Sequence, residues 1–332
     1  MQEITKDTLV KRAKELLSDG TVDRVLGWKQ GELIDDVTPG VFTSEKQLDD
    51  EFYYGVFAGA NLSKYLIAET QKTDKKVLVF LKPCDTYSFN QLLTEHRFER
   101  KKVYAVGIPC DGMTDLGLVS DMLGEDIASA KRDGEYVTVT YLFRDECASF
   151  PFSEVVAERC AACKSKKHVA YDELIGDEGE VIDAPRFSGV EKLEAMTPDE
   201  RFEFWQGELS RCIRCNACRD VCPACTCEKC VFDNPDSGIE SKAPSDSFEE
   251  KMFHIIRALH VTGRCTDCGE CSRVCPQHIP LHLLNRKLIK DINTSWGEYQ
   301  AGAEVGSRAP LVDYKLDDPE AHEILKEGGK NA

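Results

Sequence analysis

Leu9, Leu16 and Leu17 fall on one side of a helical register over residues 6–18, and Gly20 stands where such a helix would stop. Further on, Asn61 is suited to cap a helix running to Glu69. Lys75 and Lys76 then lead into the unbroken apolar run 77–81, which reads as a buried strand. Residues 86–97 fit a helix, and residues 103–108 fit a second buried strand. Helices alternating with wholly apolar strands predict a parallel sheet in an α/β domain. Residues 135–143, where Val137 and Val139 alternate with threonines, predict a third strand.

Beyond residue 165 the pattern loosens. Charged positions with Gly176, Gly179, Pro185 and Gly189 predict a connection reaching to about residue 196. Thr197 and Pro198 then cap and open a helix that carries Phe202 and Trp205 toward Cys212. Residues 233–247 are rich in Pro, Gly, Ser and Asp and read as a loop. After Ser247, Phe248, Met252, Ile255, Ile256 and Leu259 follow helical spacing, predicting an apolar stripe that faces the core. Pro280 opens a last helix with Leu281, Leu284, Leu288 and Ile292 on one face. The pattern divides into a parallel-sheet α/β domain over 1–196, a helical domain over 197–295, and a tail over 296–332.

Composition changes this picture in two ways. The formal net charge of −17 argues against nucleic acid, whose phosphates call for a basic face. No apolar run reaches the roughly eighteen residues of a membrane span, and the first residues lack the basic and apolar regions of a signal peptide. The expectation is a cytoplasmic chain with no membrane span. In a reducing cytosol clustered cysteines read first as metal ligands, in keeping with oxygen-free metabolism.

Eleven of the sixteen cysteines lie between Cys212 and Cys275. Eight of them form two copies of one run, Cys212-x2-Cys215-x2-Cys218-x3-Cys222-Pro223 and Cys265-x2-Cys268-x2-Cys271-x3-Cys275-Pro276. This is the bacterial ferredoxin pattern for two [4Fe-4S] clusters, in which the fourth cysteine of each run crosses to the other cluster. One cluster should take Cys212, Cys215, Cys218 and Cys275, and the other Cys265, Cys268, Cys271 and Cys222. A zinc ribbon also uses Cys-x2-Cys pairs, but a repeated triplet followed by Cys-Pro has no rationale for zinc.

The tripeptide Pro-Cys-Asp closes each of the first two expected strands, at Pro83-Cys84-Asp85 and Pro109-Cys110-Asp111. Ligands gather at the carboxyl ends of strands in open α/β sheets. A third cluster is expected from Cys110, Cys147, Cys160 and Cys163; alternatively Cys110 and Cys147 are small buried apolar groups. Cys84, Cys225, Cys227 and Cys230 are left for a further site, or as free thiols. His254, His260, His278 and His282 read as solvated or capping groups, and no catalytic acid, base or nucleophile stands out.

The Pro-Cys-Asp elements and Cys160-x2-Cys163 resemble the beta-subunit family of deazaflavin-reducing hydrogenases and formate dehydrogenases. Cys222-Pro223-Ala224-Cys225-Thr226-Cys227 with the second ferredoxin run resembles the A subunit of anaerobic sulfite reductase and the beta subunit of sulfhydrogenase. The resemblance implies an iron–sulfur electron-transfer subunit of a multi-subunit oxidoreductase, of hydrogenase, formate dehydrogenase, aldehyde oxidoreductase or heterodisulfide-reductase type. Its partners would be other subunits of the complex, or a soluble ferredoxin. Many deazaflavin-reducing relatives also hold a flavin, FAD or FMN, on a glycine-rich turn; here the matching stretch is residues 55–61, with Gly55 and Gly59. The alternative function is therefore a flavin-containing reductase subunit that exchanges a hydride with NADH or deazaflavin and feeds the clusters.

Overall fold

In the computed structural model the described residues are 4–34, 36–123, 127–165, 167–179, 185–234 and 247–310. Most of the expected loop, residues 235–246, lies outside them, as do the end of the expected tail, residues 311–332, and the side chain of Phe248. The chain divides into two compact units, Met1–Arg186 and Phe187–Ala332.

The first unit is built on a mixed sheet. Its strands are β1 (Val22–Gln30), β2 (Val37–Phe42), β3 (Phe52–Tyr53), β4 (Lys76–Leu81), β5 (Val103–Gly107) and, beyond a second small sheet, β9 (Glu173–Leu174). The order is β2-β1-β4-β5-β9, with β3 also on β1. β1, β4, β5 and β9 run parallel, while β2 and β3 run antiparallel to β1. All five apolar residues of β4 are buried, as a strand between helical layers requires. The helix Lys6–Ser18 is capped by Thr5 and buries Leu9, Val10, Ala13 and Leu16.

The helix after β4 spans Pro83–Thr94, so Pro83-Cys84-Asp85 is its first turn rather than a strand end. Pro109-Cys110-Asp111 follows β5 as a loop. The two cysteines thus leave the same edge of two neighbouring parallel strands. The expected helix from Asn61 to Glu69 is shorter, a single 3-10 turn at Ser63–Tyr65 and one α-turn at Leu66–Glu69. Asn61 Oδ1 accepts from the Ser63 N–H at 2.9 Å.

Residues 135–143 do contain a strand, but it does not join the parallel sheet. β6 (Ile127–Asp133), β7 (Tyr136–Tyr141) and β8 (Cys147–Pro151) form a separate antiparallel meander. Its half-polar alternation fits this arrangement: Val137 and Val139 pack with Val119, Ile127 and Val155, and the threonines face outward.

The second unit is helical. Its main elements are Ser188–Glu194, Pro198–Ser210, Ser247–His260 and Leu281–Trp296, with short turns at Ala217–Asp220 and Glu270–Arg273. Thr197 and Glu200 form a capping box at the start of Pro198–Ser210. The apolar stripe expected to face the core does so at Ile256, whereas Met252, Ile255 and Leu259 are exposed. Ile255 and Leu259 line an open groove of about 450 Å³ with Leu284 and Leu288. The same helix instead buries Phe253, His254, Arg257 and Ala258. What it packs against is sulfur-rich, since Cys218 and Cys271 are core members beside Leu209, Phe232, Phe253, Ile279 and Leu281.

Candidate iron–sulfur sites

The two ferredoxin runs fold alike at the level of single dihedrals. Arg214 and Asn216 in the first, and Asp267 and Gly269 in the second, all have positive φ, at 53°, 63°, 63° and 68°. These are the second and fourth residues after Cys212 and after Cys265. Left-handed residues alternating with cysteines turn backbone N–H groups inward and make an anion-binding nest. Accordingly the Arg214 N–H points at Cys212 Sγ at 3.4 Å. The Asp267, Glu270 and Ser272 backbone N–H groups donate to Cys265, Cys268 and Cys271.

The thiols also act on one another across and within the two nests. Burial pushes Cys218 up to about 12, against the pull of Arg257, and Cys271, Cys212 and Cys275 add to the rise. Burial likewise raises Cys265, Cys268 and Cys271, and Cys222 presses on all three. Cys222 therefore stands near Cys265, Cys268 and Cys271, and Cys275 near Cys218. Thiols this hard to ionise need a compensating cation to become ligands. The donor set is wholly thiol, suited to iron and inorganic sulfide, and it already carries N–H donors aimed at sulfur. Among the described residues no three His, Cys, Asp or Glu groups converge on one metal ion. A cubane spaces its thiolates more widely than a single ion does.

Three side chains that sequence reasoning missed touch these nests. His254 is 2% exposed, and its Nε2 lies 3.2 Å from Cys212 Sγ. Burial, with Arg257 and Arg214 adding, lowers it to about 3, so it is a neutral donor rather than a solvated cation. Asn285 Nδ2 donates to Cys271 Sγ at 3.5 Å. Arg257 donates to the Cys218 carbonyl at 3.0 Å. The signal available in sequence was the spacing of His254 and Arg257, one turn apart on a single helix face. His282 is also buried, with Nδ1 2.9 Å from Ser272 Oγ, whereas His260 and His278 are exposed.

In the first unit the thiols gather differently from expectation. Cys110 is pushed up to about 12 by burial, then by Cys160; Lys82 and the Gly112 N–H oppose this, and Cys163 adds to it. Cys84 is raised well above a normal thiol by burial and by Asp85, with Cys163 and Cys110 also contributing against Lys82. Cys84 thus lies near Cys110 and Cys163, and Cys110 near Cys160. Cys147 opens β8, exposed, opposite Thr140 in the antiparallel meander. Lys82 is buried here, with Nζ 2.8 Å from Asp85 Oδ2, 2.9 Å from the Ala60 carbonyl and 4.7 Å from the Trp28 ring centre.

Of the further site expected from Cys84, Cys225, Cys227 and Cys230, Cys84 lies in the first unit. The other three lie in the second unit. Cys225 packs beside Cys222 and Cys265, Cys230 borders the sulfur-rich core, and Cys227 is exposed. A cavity of about 750 Å³ opens beside Cys110 in the first unit, lined also by Tyr53, Tyr54, Gly55, Asp111 and Arg132.

Comparison with known proteins places these features in context. The 4Fe-4S dicluster domain family matches residues 208–279. F420-dependent formate dehydrogenase subunit beta of Methanocaldococcus jannaschii is 26% identical, over 90% of this chain and 92% of its own length. F420-dependent formate dehydrogenase 1 subunit beta of Methanococcus maripaludis is 24% identical, over 88% of this chain and 89% of its own length. A chain of the F420-reducing [NiFe] hydrogenase complex from Methanosarcina barkeri overlaps 47% of this chain and 58% of its own, at 15% identity and a TM-score of 0.38. No helix among the described residues is long and apolar enough to cross a membrane. The chain resembles the beta subunits of F420-dependent formate dehydrogenases along most of its length and carries a 4Fe-4S dicluster domain in its C-terminal part.

Proposed function

We propose that this chain is the iron–sulfur relay of a multi-subunit oxidoreductase of formate dehydrogenase type, receiving electrons at one end and delivering them to another carrier. The observation that supports the reading is that Cys222 stands near Cys265, Cys268 and Cys271 while Cys212 and Cys275 stand near Cys218, as two crossed nests require. Crossing ties both cofactors to one small fold and holds them a short distance apart, as a relay requires. The first cluster is assigned to Cys212, Cys215, Cys218 and Cys275, and the second to Cys265, Cys268, Cys271 and Cys222. A third is assigned to Cys84, Cys110, Cys160 and Cys163, with Cys84 in place of Cys147.

A [4Fe-4S] cluster so held exchanges single electrons. The chain's own part is to fix the thiolates, donate N–H groups to sulfur and keep water away. His254 and Asn285 do the second at Cys212 and Cys271. The names of the relatives support partner subunits of a formate dehydrogenase. They also support a redox exchange with the deazaflavin F420.

The cavity beside Cys110 favours a second reading, in which a flavin on the first unit exchanges a hydride with deazaflavin or NADH and passes single electrons to the adjacent thiol-bound cluster. Both readings are tested on anaerobically purified full chain. Dithionite is expected to bleach the cluster absorbance, and an oxidised viologen to restore it in a one-electron step. Chain that carries clusters but neither bleaches nor recovers would overturn the relay. Flavin released by acid decides for the second reading, and its absence from cluster-loaded chain decides against it.

A further inference from the structure

Arg257 is 3% exposed, in the helix Ser247–His260. A guanidinium taken out of water needs a compensating anion, because desolvation is not repaid by neutral neighbours. Arg286, equally buried, has one: its Nε donates to Asp267 at 2.8 Å. Arg257 has no carboxylate partner among the described residues. It donates to the Cys218 carbonyl and to Cys271, while its Nε finds no acceptor. The groups that favour its charge are Cys271, Cys222, Cys218 and Cys225.

These thiols are divided between the nests. Cys218 belongs to the first, and Cys222 and Cys271 to the second. We propose that Arg257 is a positioning charge set between the two ferredoxin-type clusters, a shared counter-ion that raises the reduction potential of both. The proposal rests on the cluster assignment above. A cubane with four thiolates is an anion, and one electron added without a proton makes it more negative by one charge. A fixed cation in a poorly solvated interior therefore stabilises the reduced form more than the oxidised form. Guanidinium is the cation best suited to such a place, being always charged and weakly hydrated.

The test uses full-length chain purified without oxygen, with iron and sulfide counted, in redox titrations followed by electron paramagnetic resonance. Arg257→Met, fully loaded, is expected to shift the reduction equilibrium of the two clusters at least tenfold toward oxidised, about 59 mV for a one-electron couple. Arg257→Lys, which keeps the charge, should stay close to the unsubstituted chain. Unmoved midpoints in loaded Arg257→Met overturn the proposal, as does an Arg257→Lys chain that shifts as far as Arg257→Met. If Arg257→Met takes up no iron while Arg257→Lys loads fully, the nests require the charge itself and the proposal stands. If neither loads, the shape of the side chain is what matters and the proposal falls. Unsubstituted chain without iron and sulfide would instead remove the cluster assignment beneath it.

Discussion

Lys82 and Asp85 illustrate what burial demands of charge. Both are almost wholly inaccessible, 2.8 Å apart, and Lys82 also meets the Ala60 carbonyl and the Trp28 ring. Removing one partner leaves an uncompensated buried charge, so Lys82→Met should destabilise the first unit by about 3–5 kcal/mol. Urea unfolding monitored in that unit checks the figure, and a loss below 1 kcal/mol would mean that Asp85 finds another partner. The same edge of the sheet decides between two cysteines. Cys84→Ser should lower bound iron by about four atoms per chain, whereas Cys147→Ser should leave it unchanged, both read by iron analysis of anaerobic protein. The ferredoxin cysteines were legible in the sequence because spacing alone defines their chemistry. The nearness of Cys84 to Cys110 and Cys163 was not, because these cysteines come from separate segments that only the fold brings together.

At the scale of elements, legibility followed burial pattern. β4 and β5 are apolar throughout and stood out, while β1, Val22–Gln30, hides its buried Val25, Leu26 and Trp28 among Asp, Arg and Lys. Ser247–His260 is a helix, as the apolar stripe predicts, but of that stripe Ile256 meets the core while Met252, Ile255 and Leu259 lie away from it. Periodicity locates apolar residues, and it cannot tell that the interior awaiting them is made of thiols, which favour His254 and Arg257 instead. Packing on β1 also allows a sharp expectation. A Cβ at Gly27 would lie 2.4 Å from the Phe52 ring, which is itself held by Phe42 and Phe80. Gly27→Ala should therefore cost about 1–3 kcal/mol of stability, read by denaturant midpoint at unchanged slope.

Over the whole molecule, the two units differ in what holds them. The first has a continuous apolar core from Leu9 to Ile108. In the second, Cys218 and Cys271 are core members, bordered by Cys212 and Cys275, so the proposed ligands are also part of the packing. Binding free energy is folding free energy where the ligands form the core. Stripping iron with a chelator should accordingly abolish amide-exchange protection in Leu281–Trp296 and preserve it in β4. Equal loss in both would show that the first unit depends on its own thiol-bound group to the same degree.

Iron and acid-labile sulfide, counted per full-length chain purified without oxygen, bear most directly on the electron-relay reading. About twelve of each are expected, with about eight remaining when the thiol group of the first unit is removed by substitution. Zinc in place of iron, or iron without sulfide, would contradict it.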